Sequence, residues 1–126
     1  MSHLRQCSIT IANPNESILR RAIELIAREE GKQLCTTVVA MNGDRTEVLA
    51  GIQGMNYQYA YGVVIKGGRI HVVGDDYGSS VTLNAFRQRV VQAYNVVAYQ
   101  QALARQGYRT QVQRQGAKYI LAGVRA

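Results

Sequence analysis

The spacing of apolar and polar residues divides the chain into two helices and a series of short strands. Residues 7–12 alternate polar and apolar side chains in a β-branched run, which predicts a strand with one buried face. Residues 13–32 predict an amphipathic helix with Asn13 as its cap, Pro14 at its first position and Gly31 at its end. Its apolar stripe, which must pack on a sheet, consists of Leu19, Ala22, Ile23, Ile26 and Ala27.

The middle of the chain predicts two hairpins. Residues 33–41 are expected to form the first strand of one, residues 42–44 its turn and residues 46–53 its second strand, where two glycines suggest a bulge or an early end. In the other hairpin, β-branched runs flank Gly67 and Gly68, because paired glycines supply the positive backbone angles that a two-residue turn requires.

A long helix and a final hairpin complete the pattern. Residues 82–106 predict the helix, and Gly107 is placed to end it. Residues 108–113 and 118–124 predict two short strands around a turn at residues 114–117. The buried stripe of the helix is expected to contain Leu83, Phe86, Val90, Tyr94 and Val97.

These elements predict one α+β domain over residues 1–126, in the order β-α-β-β-β-β-α-β-β. We expect an antiparallel sheet with two helices packed on one face, ferredoxin-like with extra hairpin strands. A chain of 126 residues can bury such a core without a metal or a disulfide. A hydrophobic fraction of 47% and a single proline argue against disorder.

The composition bears on the cellular location of the protein and on metal or cofactor binding. No apolar run reaches the roughly 18 residues that a membrane span requires, and the apolar part of the first 13 residues is too short for a secretory signal, so a cytoplasmic location is expected. Cys7 and Cys35 lie outside any CxxC pair and are expected to be free thiols rather than a disulfide or zinc ligands. We predict no metal and no cofactor.

Charge is distributed unevenly along the chain. Residues 1–76 contain eight basic and eight acidic side chains, so their formal charge is zero, and the whole net charge of +7 falls in residues 77–126, which contain no acid. This asymmetry favours an acidic partner, such as nucleic acid or an acidic protein. The predicted partner-binding residues are Arg87, Arg105, Arg109, Arg114 and Lys118.

Two interpretations of these cations remain open. Arg87 and Arg105 are five helical turns apart and project in similar directions, whereas Arg89 is rotated by about 200° from Arg87. The cations therefore form one binding surface, or they face water in different directions, with Arg105 and Arg109 favoured by the helix dipole.

Two further groups of side chains suggest chemistry. Tyr57, Tyr59 and Tyr61 alternate along a strand and predict either sheet packing or a row on which single-stranded nucleic acid stacks. His71, Asp75 and Asp76 lie at the end of a strand, where they form either an acid/base site or, as we favour, an acidic turn that binds its own backbone.

The second half of the chain resembles a known family. Residues 70–78 (IHVVGDDYG), residues 84–108 and the closing strand pair are similar to the hypothetical chloroplast reading frame thirty-five family, found in algal plastids, cyanobacteria and other prokaryotes. The opening Met1-Ser2-His3-Leu4 also resembles the usual start of that family. The acidic stretch that the family often has before its last strand is replaced here by residues 114–118 (RQGAK). The family has no established activity, so the resemblance implies a fold and no function.

Three functional hypotheses follow. The first is a non-catalytic binding or adaptor protein whose basic C-terminal half docks an acidic partner, with nucleic acid as the most testable case. The second is a small enzyme or enzyme subunit that uses the region of Asp75 and Asp76. The third is a homodimer with a structural role, formed through a sheet face that the helices leave open.

Overall fold

A computed structural model describes residues 3–116 and 118–125 of the protein. It confirms an α+β chain with two helices, but the strands form two sheets, one of five strands and one of two, where a single sheet was expected. The predicted order of elements is also confirmed. In chain order the elements are β1 (Arg5–Ile9), α1 (Glu16–Glu30), β2 (Leu34–Val39), β3 (Arg45–Asn56), β4 (Tyr59–Lys66), β5 (Arg69–Gly74), α2 (Leu83–Arg105), β6 (Tyr108–Gln115) and β7 (Lys118–Arg125).

In the five-stranded sheet, β2 to β5 form an antiparallel meander, and β1 pairs with β5 as an edge strand. The order of the sheet is β1-β5-β4-β3-β2, and each neighbouring pair is antiparallel. The α1 crossover therefore carries the chain from one edge strand, β1, to the other, β2. Strand β3 continues past its two glycines, and its pairing with β4 shifts register between Ile52 and Asn56, so the bulge is confirmed rather than the early end.

Helix α1 begins two residues later than predicted. Asn15, not Asn13, is the cap: its backbone is extended, and its side-chain oxygen accepts the Ile18 N–H at 3.0 Å. Asn13 has a positive φ of 48° and so belongs to the turn before the cap, which is why the expectation for it was wrong. Gly31 ends the helix in the left-handed conformation, as predicted.

Helix α2 starts at a side-chain cap and ends in a reversal of the chain. The Thr82 hydroxyl accepts the Ala85 N–H at 3.0 Å. At the other end Gly107 has a φ of 86°, which a residue with a side chain rarely adopts, and its N–H donates to the Ala104 carbonyl. The chain then returns along the helix as β6 and β7, and in the part of the chain that the structure describes these two strands pair with each other and with no other strand.

The main core joins both helices to the five-stranded sheet. The two predicted stripes are confirmed as buried, and Phe86 and Tyr61 lie at its centre with ring centroids 5.3 Å apart. The Tyr61 hydroxyl donates to the Val81 carbonyl, just before α2, so this ring also fixes the entry to the helix. Gly74 gives the ring room, because a Cβ there would lie 2.4 Å from Tyr61 Cδ1.

A second cluster fills the other side of the sheet. Gly51 and Gly62 are cross-strand partners, and a Cβ on Gly62 would lie 2.9 Å from Val48 and 3.0 Å from Val38. Side chains from β2 and β3 therefore lie across the glycines, and the sheet covers this part of its own surface. The buried members of the cluster are Val38, Val48, Ala60, Val64 and Val73.

Candidate functional site

The structure divides the five predicted partner-binding residues into two groups. Arg87 is half-buried, and its Nε and Nη2 both donate to the Asn84 side-chain oxygen. Arg114 lies 3.5 Å from a carboxylate oxygen of Glu29. Arg105, Arg109 and Lys118 are exposed, and within residues 3–116 and 118–125 they take part in no ion pair.

Arg109 and Lys118 lie on the same face of the terminal hairpin. Residues opposite each other in an antiparallel pair share a face, and every second residue along a strand returns to it. Lys118 is opposite Gln115, and Arg109 is six residues before Gln115 on the same strand. We call this exposed surface the outer face, and it consists of Arg109, Gln111, Gln113, Gln115, Lys118, Ile120, Ala122 and Val124.

The opposite face of the hairpin packs towards α2. A Cβ on Gly123 would lie 3.9 Å from Leu103 of the helix, and Gly123 is paired with Thr110. Tyr108, on this same inner face, carries the Arg125 guanidinium over its ring at 5.9 Å from the centroid. The hairpin is thus a ribbon with one side on the helix and the outer face in solvent.

An open cleft lies where α1, the end of α2 and the start of β6 meet. Its volume is about 380 Å³. It includes Arg21, which the sequence pattern did not single out, together with Arg109, and its lining contains no carboxylate. We call it the arginine cleft, and its lining residues are Arg21, Gln100, Gln101, Ala104, Tyr108, Arg109 and Thr110.

A cluster of charges ties the far end of the hairpin to both helices. Arg89 contacts two carboxylates at the end of α1, Glu29 at 3.0 Å and Glu30. Glu29 also accepts from the Tyr119 hydroxyl at 3.4 Å and faces Arg114. Arg89 and Arg114 thus both have a carboxylate partner within the protein, and we call this group the Arg89 cluster.

The Arg89 cluster shifts the protonation of its members. The hydrogen bond from Arg89 lowers the pKa of Glu30 against the opposing effect of burial. Burial disfavours the charged form of Arg89, but its hydrogen bonds with Glu30, Tyr119 and Glu29 outweigh that effect and raise its pKa. Burial raises the pKa of Tyr119. At neutral pH the cluster therefore holds a fixed cation between two carboxylates.

The two aspartates of the acidic turn bind backbone groups. Asp75 is 2% exposed, and its carboxylate accepts the N–H groups of Met41 at 2.9 Å and Tyr77 at 3.2 Å. Asp76 accepts the Leu83 N–H at 2.8 Å, at the start of α2, and pairs with Arg5 at 3.2 Å. The turn thus connects the β2–β3 loop, β1 and α2, which is the backbone-binding role that we favoured.

The third residue of the proposed acid/base group lies away from the aspartates. His71 is in the middle of β5, opposite Ser8 and Val64. Four residues of extended strand separate it from Asp75, a distance of about 13 Å at the usual rise. An acid/base pair needs hydrogen-bond contact or one bridging water, so this group has no geometry for shared proton transfer.

The alternating tyrosines form no exposed row. Tyr57 lies in the turn between β3 and β4 with a positive φ of 54° and is 77% exposed. Tyr61 is fully buried in the main core, and Tyr59 is half-buried. The stacking interpretation of this segment is therefore wrong, because the turn interrupts the alternation and the core takes the last ring.

The cysteines and possible metal ligands were further candidates for a functional site. Cys7 and Cys35 are free, and burial raises the pKa of the Cys35 thiol, which keeps it in its less reactive neutral form. Across residues 3–116 and 118–125, no three His, Cys, Asp or Glu side chains are grouped so that they could hold a metal ion. Neither helix in the described part of the chain is both long and apolar enough to cross a membrane.

Comparisons with known proteins return no relative: no family model, no curated protein and no solved structure matches this chain.

Proposed function

We propose that this protein is a non-catalytic binding module that docks an acidic partner, nucleic acid, on the outer face of its terminal hairpin. The observation that carries the proposal is the placement of Arg109 and Lys118 on one exposed face, with glutamines between them and no acid on either strand. Arg105, at the end of α2 and four residues before Arg109 in the chain, is also exposed.

The geometry suits an extended anionic chain. Arg109 and Gln115 are six residues apart on β6, about 20 Å in an extended strand, so the basic ends of the outer face are separated by several phosphate spacings. The glutamine side chains between them can donate and accept hydrogen bonds. Phosphate contacts by Arg and Lys supply most of the affinity of such surfaces without reading the sequence.

The test is binding of labelled single- and double-stranded oligonucleotides at about 50 mM and about 200 mM salt. We expect the triple variant Arg105→Gln, Arg109→Gln, Lys118→Gln to bind at least about tenfold more weakly. The slope of log K against log salt should fall by about 2, because each lost phosphate contact to a single strand removes about 0.7.

A matched control removes three exposed cations elsewhere. Arg45, Lys66 and Arg69 lie on the five-stranded sheet and take part in no ion pair among the described residues. Changing all three to glutamine alters the net charge by the same amount, so similar losses in both triple variants would show that only total charge matters. No binding by the parent at low salt would remove nucleic acid and leave an acidic protein as the partner.

We also propose the finer features of the fold. One core cluster contains the buried stripes of both helices, whereas the second cluster contains residues of strands alone, which supports both helices on one sheet face. The ferredoxin-like comparison stays a prediction. Helix α1 joins β1 to β2, and these strands lie at opposite edges of the sheet with three strands between them.

Membership of the hypothetical chloroplast reading frame thirty-five family also stays a prediction, which rests on the residues quoted above. A homodimer through the open sheet face receives no support from the second cluster, whose buried members are each at most 9% exposed in a single chain.

A further inference from the structure

We propose that the arginine cleft binds the terminal phosphate of a nucleic-acid strand, so that this module recognises strand ends. This inference rests on the proposed function, because the strand itself would lie on the outer face. Arg109 belongs to both surfaces, which places the cleft at one end of the outer face.

The lining offers the hydrogen-bond donors that a phosphate requires. Arg21 and Arg109 both border the cleft, and the guanidinium of an arginine is a planar fork of N–H groups that matches two phosphate oxygens at once. Gln100 and Gln101 add side-chain amides, and Thr110 adds a hydroxyl. Three separate elements supply these groups, so the cleft exists only in the folded protein.

The charge of the cleft favours a terminal phosphate over one inside a strand. A phosphomonoester carries a charge of about −1.5 to −2 at neutral pH, whereas a phosphodiester carries one negative charge. Two arginines and no carboxylate line the cleft, so a dianion neutralises both. Neither arginine has an ion-pair partner among the described residues that it must first release.

The charged residues around the cleft also include more cations than carboxylates. Glu24 shares the adjoining groove between α1 and α2 with Arg21 and Arg28, so one carboxylate lies beside two arginines there. On the other side the Arg125 guanidinium lies over the ring of Tyr108, which lines the cleft. A further groove beside Arg21 adds Glu16 and Arg20, one carboxylate and one cation, so the cations near the cleft still outnumber the carboxylates.

The experiment compares one single-stranded oligonucleotide with a 5′-phosphate, a 3′-phosphate or hydroxyl groups at both ends. We expect the parent to bind one of the phosphorylated forms about tenfold more tightly than the hydroxyl form. Arg21→Gln should abolish this preference and leave the salt-dependent binding of the hydroxyl form unchanged, because Arg21 is not on the outer face. Arg69→Gln, which removes an exposed cation far from the cleft, should keep the preference.

The pH dependence gives a second readout. The second ionisation of a phosphomonoester has a pKa near about 6, so the preference should shrink as the pH falls below that value. Equal binding of all three oligonucleotides by the parent, or a preference that survives Arg21→Gln, would overturn the cleft proposal and leave the outer face in place.

A titration with inorganic phosphate separates the two proposals. If the parent binds no oligonucleotide, the proposed function fails, and NMR of the parent with inorganic phosphate then decides the cleft alone. Shifts of the Gln100 and Gln101 side-chain amides that disappear in Arg21→Gln support a phosphate site. Unchanged amides overturn it.

Discussion

Replacing Arg89 by methionine tests how the terminal hairpin is attached to the helices. The substitution keeps an unbranched side chain of similar length and removes the cation between Glu29 and Glu30. Both carboxylates then lose a partner, although Glu29 keeps Arg114 and the Tyr119 hydroxyl.

The cost follows from the burial of the cluster. Breaking a buried ion pair costs about 3–5 kcal/mol, and breaking an exposed one costs about 0–1 kcal/mol. The side chains of Arg89, Glu29 and Glu30 are 12%, 19% and 34% exposed, which places them nearer the buried limit. Methionine also removes the Arg89 Nε, which is buried without a hydrogen-bond partner among the described residues. The desolvation of such a group costs about 1–3 kcal/mol, so its removal offsets part of the loss. The net loss of unfolding free energy should be about 2 kcal/mol.

Urea unfolding followed by circular dichroism measures this loss. Arg20→Met is the matched control, because Arg20 pairs with Glu16 and donates to the Leu49 carbonyl at 3.1 Å, while the side chains of the ion pair are at least half exposed. Its cost should stay below about 1 kcal/mol. If both substitutions cost the same, the Arg89 cluster contributes no more than a surface pair, and the reasoning from burial is wrong.

Three further outcomes are expected. Phe86→Ala should lower the free energy of unfolding by about 3–5 kcal/mol, because the ring is fully buried. Tyr99→Ala, at a side chain that is 64% exposed, should cost less than about 1 kcal/mol. Similar thermal unfolding of both variants would contradict the position of Phe86 in the core. Glu30→Gln should make the loss of stability in acid less steep. A carboxyl whose pKa is lowered by folding contributes stability that is complete above its ordinary pKa of 4.5 and is lost as the pH falls through the lowered pKa. Urea midpoints measured against pH check this, and an unchanged profile would contradict it. Asp75→Asn should cost about 1–3 kcal/mol, because the amide turns a donor towards one of two backbone N–H groups; full stability would show that the turn does not need the carboxylate.

The sequence predicted the parts of the structure that depend on neighbouring residues. The stripes of both helices, the glycine turn at residues 67–68 and the stop at Gly107 are local signals, and the structure confirms them. Asn13 and Asn15 have the same side chain two positions apart, so only the backbone conformation decides which one caps α1.

The candidate site could be predicted only in part, because it brings together residues that are distant in the chain. The pairing of Arg89 with Glu29 and Glu30 spans about sixty residues, and an excess of arginine in one half does not reveal which arginines an acid from the other half neutralises. Arg21 lies in the electrically neutral half and borders the same cleft as Arg109 only because α1 and β6 both pack beside α2.

The separate pairing of β6 and β7 has a consequence for local unfolding. Within residues 3–116 and 118–125 these strands pair with each other and form no ladder with the five-stranded sheet, so the hairpin can open without breaking the strand pairs of that sheet. Its amide protons should exchange with solvent sooner than those of β4 and β5. A ligand that bridges Arg21 on α1 and Arg109 on β6 binds only the closed form and therefore slows this exchange. Protection of the hairpin amides would thus report occupancy of the cleft while the rest of the protein stays unchanged.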